Sequence, residues 1–556
     1  MHKLSRALSG VLVAVVLAAC KDPLTVANIN NPDRLRVLGT PADLEVYTAG
    51  AFRSMFVATI GGADDNIPSQ TRVMSFENSS SLANFGMSAR GAIPRSFIDN
   101  SRGNQVTAGN IKDYNGLSRA ARSAADGLNR LTLGGISLGS AAQDARIKAF
   151  AWFTLGISLG QLALVYDSST IINPYDDLSL IPGLSVYSDV MAAALRDLDS
   201  ALTWTTTANT ATGANGFPLP SGWINGLALT NAQFAQLVHS YKAWLRADVA
   251  RTPAARAAVR WDSVLIDATA GITADQVVTY ASSPSWSIAI NQIYNYAQWG
   301  QLSSFIGGMA DSSGAYAAWL AAPLANKVPF LIQTKDLRFP AGGTRALQQT
   351  NSGTPAATPI PPTAIQYFRN RSGGDAASDV YGQSQYDFYR FQAFYNASRI
   401  GSNGPAMFTK NHNDMLRAEA LIRTGNIAGA IAQIDPYRTR AGLPTLASGG
   451  ITALGQPVPG GVSCVPRIPV GTGPVWTGTA CGDIWEAMKW EFRMENMYVG
   501  YSAWFFPMRG WGDLPEGTPL HWPVPWAEMD TRREAFYNLG GVGGTDGAVG
   551  KGTYGL

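Results

Sequence analysis

Charge is what this 556-residue chain has least of: Asp, Glu, Lys and Arg make up 15% of it, against roughly 25% in an average soluble protein. Its surface must therefore be dressed with Ser, Thr, Asn, Gln and the abundant Gly, of which there are 58. The net charge of +3 is small and unclustered, so no basic face for nucleic acid is expected. Cysteines number three and histidines four; His2, His239, His412 and His521 are too scattered to give the ligand spacing of a zinc site. Gly307-Gly308 and Gly541 to Gly544 lack the lysine and the strand-to-helix setting of a phosphate loop, and no Gly-x-Ser-x-Gly elbow accompanies a base. Glu491 and Glu495 lie one helical turn apart on one face, which reads as scaffold rather than as the opposed carboxylates of a glycosidase. No catalytic residue, metal site or cofactor is expected.

What is present begins with a processing segment. Lys3 and Arg6 form a short basic region, Ala7 to Ala19 is apolar, and the run is too short to span a bilayer, which takes roughly 20 apolar residues. It ends in Leu17-Ala18-Ala19-Cys20, which resembles the lipobox of bacterial lipoproteins. That resemblance implies cleavage after residue 19 and a lipid on Cys20 as the only attached group. The alternatives are an ordinary signal peptide with a coincidental cysteine, or a short uncleaved anchor. Lys21, in place of the aspartate that retains lipoproteins in the inner membrane of enteric bacteria, favours the outer membrane. Cys464 and Cys481 then remain as an even pair. In an oxidising compartment they close a Gly/Pro-rich loop, stabilising by roughly 3 kcal/mol for a loop of about 15 residues; the alternative is two free buried thiols.

Beyond a polar tether to residue 40, amphipathic helices follow one another. Thr40 and Pro41 open the first, to Thr59. A second covers Asn110 to Leu131 and a third opens near Ser140. The third contains Ala149 to Tyr166, eighteen uncharged residues diluted by Gly156, Ser158, Gly160 and Gln161, which reads as a buried helix rather than a membrane span. Tyr187 to Leu202 is another. Thr230 caps a helix in which Phe234, Leu237, Val238, Tyr241, Leu245 and Val249 share one face, and Thr252-Pro253 starts its hairpin partner, to Ala268. From residue 271 to 410 the periodicity fades into Gly, Ser, Pro and aromatics, and a long ordered loop region points to function. Helices resume at Asn413 to Thr424 and Ile427 to Ala441. There Ala418, Leu421, Gly425, Ala430 and Ile434 stand where a tetratricopeptide-like pair needs small, turn and apolar residues. One such pair cannot bury its own face, so several must stack.

Leu416-Arg417-Ala418-Glu419-Ala420, Gly425-Asn426 and Tyr437-Arg438-Thr439-Arg440-Ala441-Gly442-Leu443 resemble the SusD-like (SusD/RagB) family signature, as do Glu491, Glu495, Gly500, Arg509, Trp511 and Trp522-Pro523-Val524-Pro525 with Glu528 and Asp530. Ala149 to Tyr166 and Tyr187 to Leu202 are similar to the family's N-terminal helices. Phe492, Val499, Ser502 and Phe506 depart from its charged pattern and read as ion pairs replaced by packing; Glu419 and Arg438 read as a structural buried pair or as caps. The resemblance implies a mainly α fold of tetratricopeptide-like stacked hairpins with a loop-rich insert. The chain divides into a signal peptide (1–19), a lipidated tether (20–40), an N-terminal helical region (41–270), the loop-rich aromatic region (271–410) and a C-terminal helical region (411–556).

It further implies a lipid-anchored outer-membrane protein that binds a nutrient, a glycan or other oligomer, and delivers it to a SusC-like TonB-dependent transporter. Sugar rings stack on Trp and Tyr. The densest candidates are Trp286, Tyr294, Tyr296, Trp299 and Trp319, with Arg72 and Asn78; the bland alternative is that these aromatics fill the core. A helical scaffold holding another polypeptide is the competing class.

Overall fold

The computed structural model describes residues 38–62, 65–79, 84–104, 107–210, 216–282, 286–289, 301–351, 366–371, 373, 377, 379–473, 475–538 and 552–556. The signal segment and Cys20 lie outside these residues.

Helix α1 (Pro41–Thr59) starts where the sequence places it, with the Thr40 hydroxyl accepting from the Asp43 amide at 3.2 Å and Pro41 in a position that needs no amide donor. Next come α2 (Ile67–Met74), α3 (Thr107–Thr132) and α4 (Ala141–Val165). A short ladder of β1 (Ser168–Ser169) and β2 (Ser185–Val186) leads into α5 (Tyr187–Thr210). Then follow α6 (Asn231–Asp248), α7 (Pro253–Ala257) and α8 (Trp261–Thr269). After the loop-rich region, in which β3 (Phe368–Asn370) pairs antiparallel with β4 (Tyr386–Phe388), the chain forms α9 (Lys410–Arg423) and α10 (Ile427–Arg440). The hairpin of β5 (Arg467–Thr472) and β6 (Val475–Cys481) precedes α11 (Ile484–Asn496) and α12 (Phe505–Trp511).

The main helices stack by pairs. α3 packs on α4, α4 on α5, α5 on α6, α6 on α8, α8 on α9, and α9 on α10 and α11. The fold is mainly α and built of stacked helical hairpins, as the residue pattern implies. α1 runs antiparallel to α3, because Gly116 faces Ala58 and Gly127 faces Thr48: a β-carbon added at either glycine would come within 2.4 or 2.2 Å of those side chains. In the turn between α9 and α10 Gly425 has φ +82°, a conformation that glycine adopts without cost.

The uncharged run of α4 is a core helix. Phe150, Phe153, Leu155, Leu159 and Leu162 are wholly enclosed, and although α4 is long and apolar enough to cross a membrane, it is mostly buried inside the body. Its C-terminal end is clasped by the family-like closing segment: Trp522 donates its amide to the Val165 carbonyl at 2.8 Å and accepts from the Asp167 amide at 2.9 Å. The Trp522 indole meanwhile donates to Asn110 Oδ1 at 3.0 Å.

Several expectations need correcting. α5 continues past Leu202 to Thr210, and the hydroxyls of Thr203, Thr206 and Thr207 return to carbonyls four residues back. The hairpin partner of α6 is broken into α7 and α8, because the Trp261 indole donates to the Arg256 carbonyl where α7 ends. The stretch from 464 to 481 is a β-hairpin rather than a loop. Cys464 and Cys481 are disulfide-bonded at its open end, with Cα atoms 5.8 Å apart.

Candidate functional site

Three buried charge networks fix the frame on which any binding face must sit. In the first, Arg338 from the loop-rich region enters the body and donates to both Asp336 oxygens at 2.8 and 2.7 Å. It also reaches Glu491 Oε2 at 2.9 Å and Glu495 Oε1 at 3.4 Å. Burial pushes the Glu491 carboxyl up against the pull of Arg338 and Arg438. With a guanidinium between them and no solvent, Glu491 and Glu495 act as scaffold. In the second, Arg256 forks onto Glu419 through two bonds of 2.7 Å, and Asp248 accepts from it at 2.8 Å. Burial alone would raise Glu419, but Arg256, Arg423 and the Trp511 indole more than reverse this and hold it below the ordinary glutamate range. Arg438 is buried too, yet it faces Glu491 at 3.8 Å rather than Glu419. The third joins Lys489, Arg493, Asp513 and the Tyr554 hydroxyl.

Of the four positions that depart from the charged pattern, Phe492 and Phe506 are taken over by aromatic packing, whereas the Ser502 hydroxyl shares a 2.9 Å hydrogen bond with Thr71. Phe492 meets Trp511 edge-on at 5.6 Å and His412 at 5.1 Å. His412 is also stacked on Phe408 at 4.6 Å, and burial drives its pKa down to about 3. Phe506 lies under the Arg509 guanidinium at 4.9 Å, which in place of a carboxylate uses the Leu520 and Asp248 carbonyls at 2.6 and 2.9 Å.

Of the aromatics singled out for ligand, Trp286 and Trp319 are not on a surface. Trp286 is 6% exposed and packs on Phe56 and Phe52 of α1 at 4.9 and 6.2 Å. Trp319 is 5% exposed among Tyr316, Phe330 and Tyr381, with the Lys327 ammonium over its ring at 4.7 Å. Each ring has found partners of its own kind, which large apolar rings do wherever the chain can enclose them. Tyr294, Tyr296 and Trp299 lie outside the described residues. Arg72 is buried, 3.5 Å from Glu77 and over the Tyr498 ring at 4.9 Å.

The ends of the segment carrying those three aromatics are nevertheless fixed. On one side Ala289 donates to the Ile60 carbonyl at the end of α1; on the other, Gln301 and Ser79 exchange backbone hydrogen bonds of 3.4 and 3.0 Å. Ser79 also donates its hydroxyl to the Gly382 carbonyl, and Gln301 bridges to Asp387 of β4. Ala289 and Gln301 are thus both held against the stretch from Ile60 to Ser79, which contains Arg72 and Asn78. The Asn78 side-chain amide is buried, has neither atom hydrogen-bonded among the described residues, and lines a cavity of about 20 Å³ with Ser79, Ser88 and Asp379. Sequence reasoning missed the Ser79–Gln301–Gly382 junction, which has no local signature because its partners lie some 220 and 303 residues away. Among the described residues no cluster of His, Cys, Asp or Glu is arranged to hold a metal.

No family model and no curated protein matches the sequence. Solved structures do. A SusD superfamily protein from Bacteroides vulgatus shares 12% identity over 85% of this chain and 88% of its own, with a TM-score of 0.48. For a SusD homolog from Parabacteroides distasonis the values are 14%, 84%, 84% and 0.49. A second SusD superfamily protein from that organism gives 11%, 89%, 97% and 0.48. All three are described as SusD superfamily proteins or homologs. The C-terminal motifs of this chain hold structural posts: Glu419, Arg438 and Glu491 are buried in ion pairs, and Trp522 to Pro525 closes over α4.

Proposed function

We propose that this chain is a SusD-like binding protein, lipidated on Cys20 and carried on the outer face of the outer membrane. In this reading it captures a nutrient, a glycan or other oligosaccharide, and hands it to a SusC-like TonB-dependent transporter. The single observation that carries the reading is the ordered run of family-like motifs behind a lipobox, from Cys20 to Trp522-Pro523-Val524-Pro525. The cargo face is assigned to Tyr294, Tyr296 and Trp299, on a segment whose flanking residues Ala289 and Gln301 are held at Ile60 and Ser79. Aromatic rings that stack on sugars bind weakly, which suits release into a transporter.

The test is calorimetry on the full chain bearing Cys20→Ser, against a panel of oligosaccharides and peptides. Trp299→Ala is expected to weaken glycan binding about tenfold or more with unchanged thermal unfolding. Trp286→Ala is expected to cost about 3–5 kcal/mol of stability, as removal of a buried large ring does. Binding of peptides alone, or glycan affinity untouched by both Trp299→Ala and Tyr294→Ala, would defeat the assignment.

A further inference from the structure

The disulfide between Cys464 and Cys481 is not symmetric. Cys464 is wholly enclosed. Cys481 is half-buried next to exposed Ala480, and the residues that precede Cys464 are open as well, with Gly461 exposed and Val462 exposed by 83%. A nucleophile arriving from solvent therefore meets the Cys481 side before it meets Cys464. Access is one of the quantities that decide which sulfur of a disulfide is attacked.

The charge beside the bond is one-sided too. Arg467 stands opposite Cys481 in the β5–β6 ladder, so the two side chains share one face of the hairpin. Its guanidinium turns to the other sulfur, with Nη1 donating to Cys464 Sγ at 3.5 Å. The group is fixed in that position, because it also donates to the Val462 carbonyl at 3.2 Å, the Thr479 hydroxyl at 3.0 Å and the Thr479 carbonyl at 3.2 Å. Among the described residues no carboxylate pairs with Arg467. Its charge is thus left for whatever charge develops on Cys464. Apolar burial disfavours a thiolate and an adjacent arginine favours it, so the arginine is what lets so enclosed a sulfur accept an electron pair. A sulfur that is more stable as a thiolate is also the better leaving group.

The hairpin has other fastenings that outlast the bond. Gly482 donates to the Pro466 carbonyl at 3.0 Å and accepts from the Val458 amide at 2.8 Å, next to the sulfurs. Further along β6 the Trp476 indole donates to the Tyr554 carbonyl at 2.7 Å. Opening the disulfide therefore leaves Cys464 close to Cys481, where it can close again.

We propose that Cys481 is a site of reversible S-thiolation by an external low-molecular-weight thiol. The incoming thiolate attacks the Cys481 sulfur and forms a new S–S bond. The bond to Cys464 breaks, and its electron pair leaves on Cys464 as a thiolate beside Arg467. In the return step that thiolate attacks the Cys481 sulfur and expels the added thiol, so the pair needs no further oxidant to re-form. Arg467 is a positioning residue for the leaving sulfur. The proposal is independent of what cargo the chain carries.

The experiment treats the full chain carrying Cys20→Ser with reduced glutathione, traps free thiols with iodoacetamide and maps the products by peptide mass. Glutathione is expected on Cys481 and the alkyl group on Cys464. Arg467→Gln should slow opening of the bond about tenfold or more, and Arg467→Lys should restore most of the rate. A purely structural arginine would act in the opposite sense, since its loss would loosen the hairpin and speed the opening. Glutathione on Cys464, an even split between the two cysteines, or no opening while the fold is intact overturns the proposal. So does opening of Arg467→Gln at the parent rate or faster.

Discussion

From α1 to α6 the molecule is held by helix faces, whereas the described residues between 271 and 410 are held by buried aromatic rings and by single polar side chains that fasten one segment to another. In the first region, small residues such as Gly116 and Gly127 let backbones approach, and the stabilising quantity is apolar area. In the second, the helices among the described residues are at most seven residues long, as in Ala315–Ala321 and Arg345–Asn351, too short to present such a face. Segments are instead fastened by Arg338 to three carboxylates, by Ser79 to Gln301 and Gly382, and by Gln348 to the Ile332 carbonyl. The difference teaches that a face tolerates exchange of similar side chains, while a fastening fails with one atom.

The sharpest way to break that contrast is Arg338→Ala. It leaves Asp336 buried without its cation and takes one cation from Glu491 and Glu495, which keep Arg438 and Arg440, and loss of one partner from a buried pair costs about 3–5 kcal/mol. Urea denaturation should show at least that loss; a drop below about 1 kcal/mol would mean that the loop-rich region does not depend on its charges. Next in size is Cys464→Ser with Cys481→Ser, which frees a 17-residue separation and should cost about 3 kcal/mol, again read from denaturant midpoints. In the helical region Gly127→Val drives side-chain carbon into Thr48, and overpacking of this kind costs about 1–3 kcal/mol. The effect should be measurable by calorimetry and relieved when Thr48→Gly is added.

How much of this was legible follows from the same contrast. Thr40, Pro41, Ser140 and Thr230 mark helix starts with local chemistry, and the structure begins helices at each. Nothing local marks Arg338 as the partner of Glu491, 153 residues away. Pro469, Gly471 and Gly473 point to a loop where the structure has the β5–β6 hairpin, because they outweigh its alternating residues. The family-like motifs point to structural posts: Glu419 and Glu491 lie inside α9 and α11 as buried ion-pair partners, and Trp522 bridges to Tyr166 at the end of α4. Trp286 and Trp319 were drawn toward the ligand by composition alone, which does not distinguish a ring facing a sugar from a ring facing Phe56.

The smallest expected effect concerns pH. Asp113 is wholly buried, accepting from the Tyr501 hydroxyl at 2.7 Å, and burial raises its pKa to about 7 against Lys112 and that hydroxyl. A carboxyl whose folded pKa exceeds its unfolded value destabilises the fold when ionised, so its cost is greatest above pH 7 and disappears as pH falls toward 4. Asp113→Asn should therefore raise the melting temperature at pH 8 and leave it unchanged near pH 4. The same shift at both pH values would show that the group is not the one titrating.

The clamps at Ile60 and Ser79 are made by groups that every residue but proline carries: the Ala289 amide reaches the Ile60 carbonyl, and Gln301 and Ser79 exchange backbone bonds. Substitution at 289 or 301 can therefore change a side chain and keep the bond that positions the chain there.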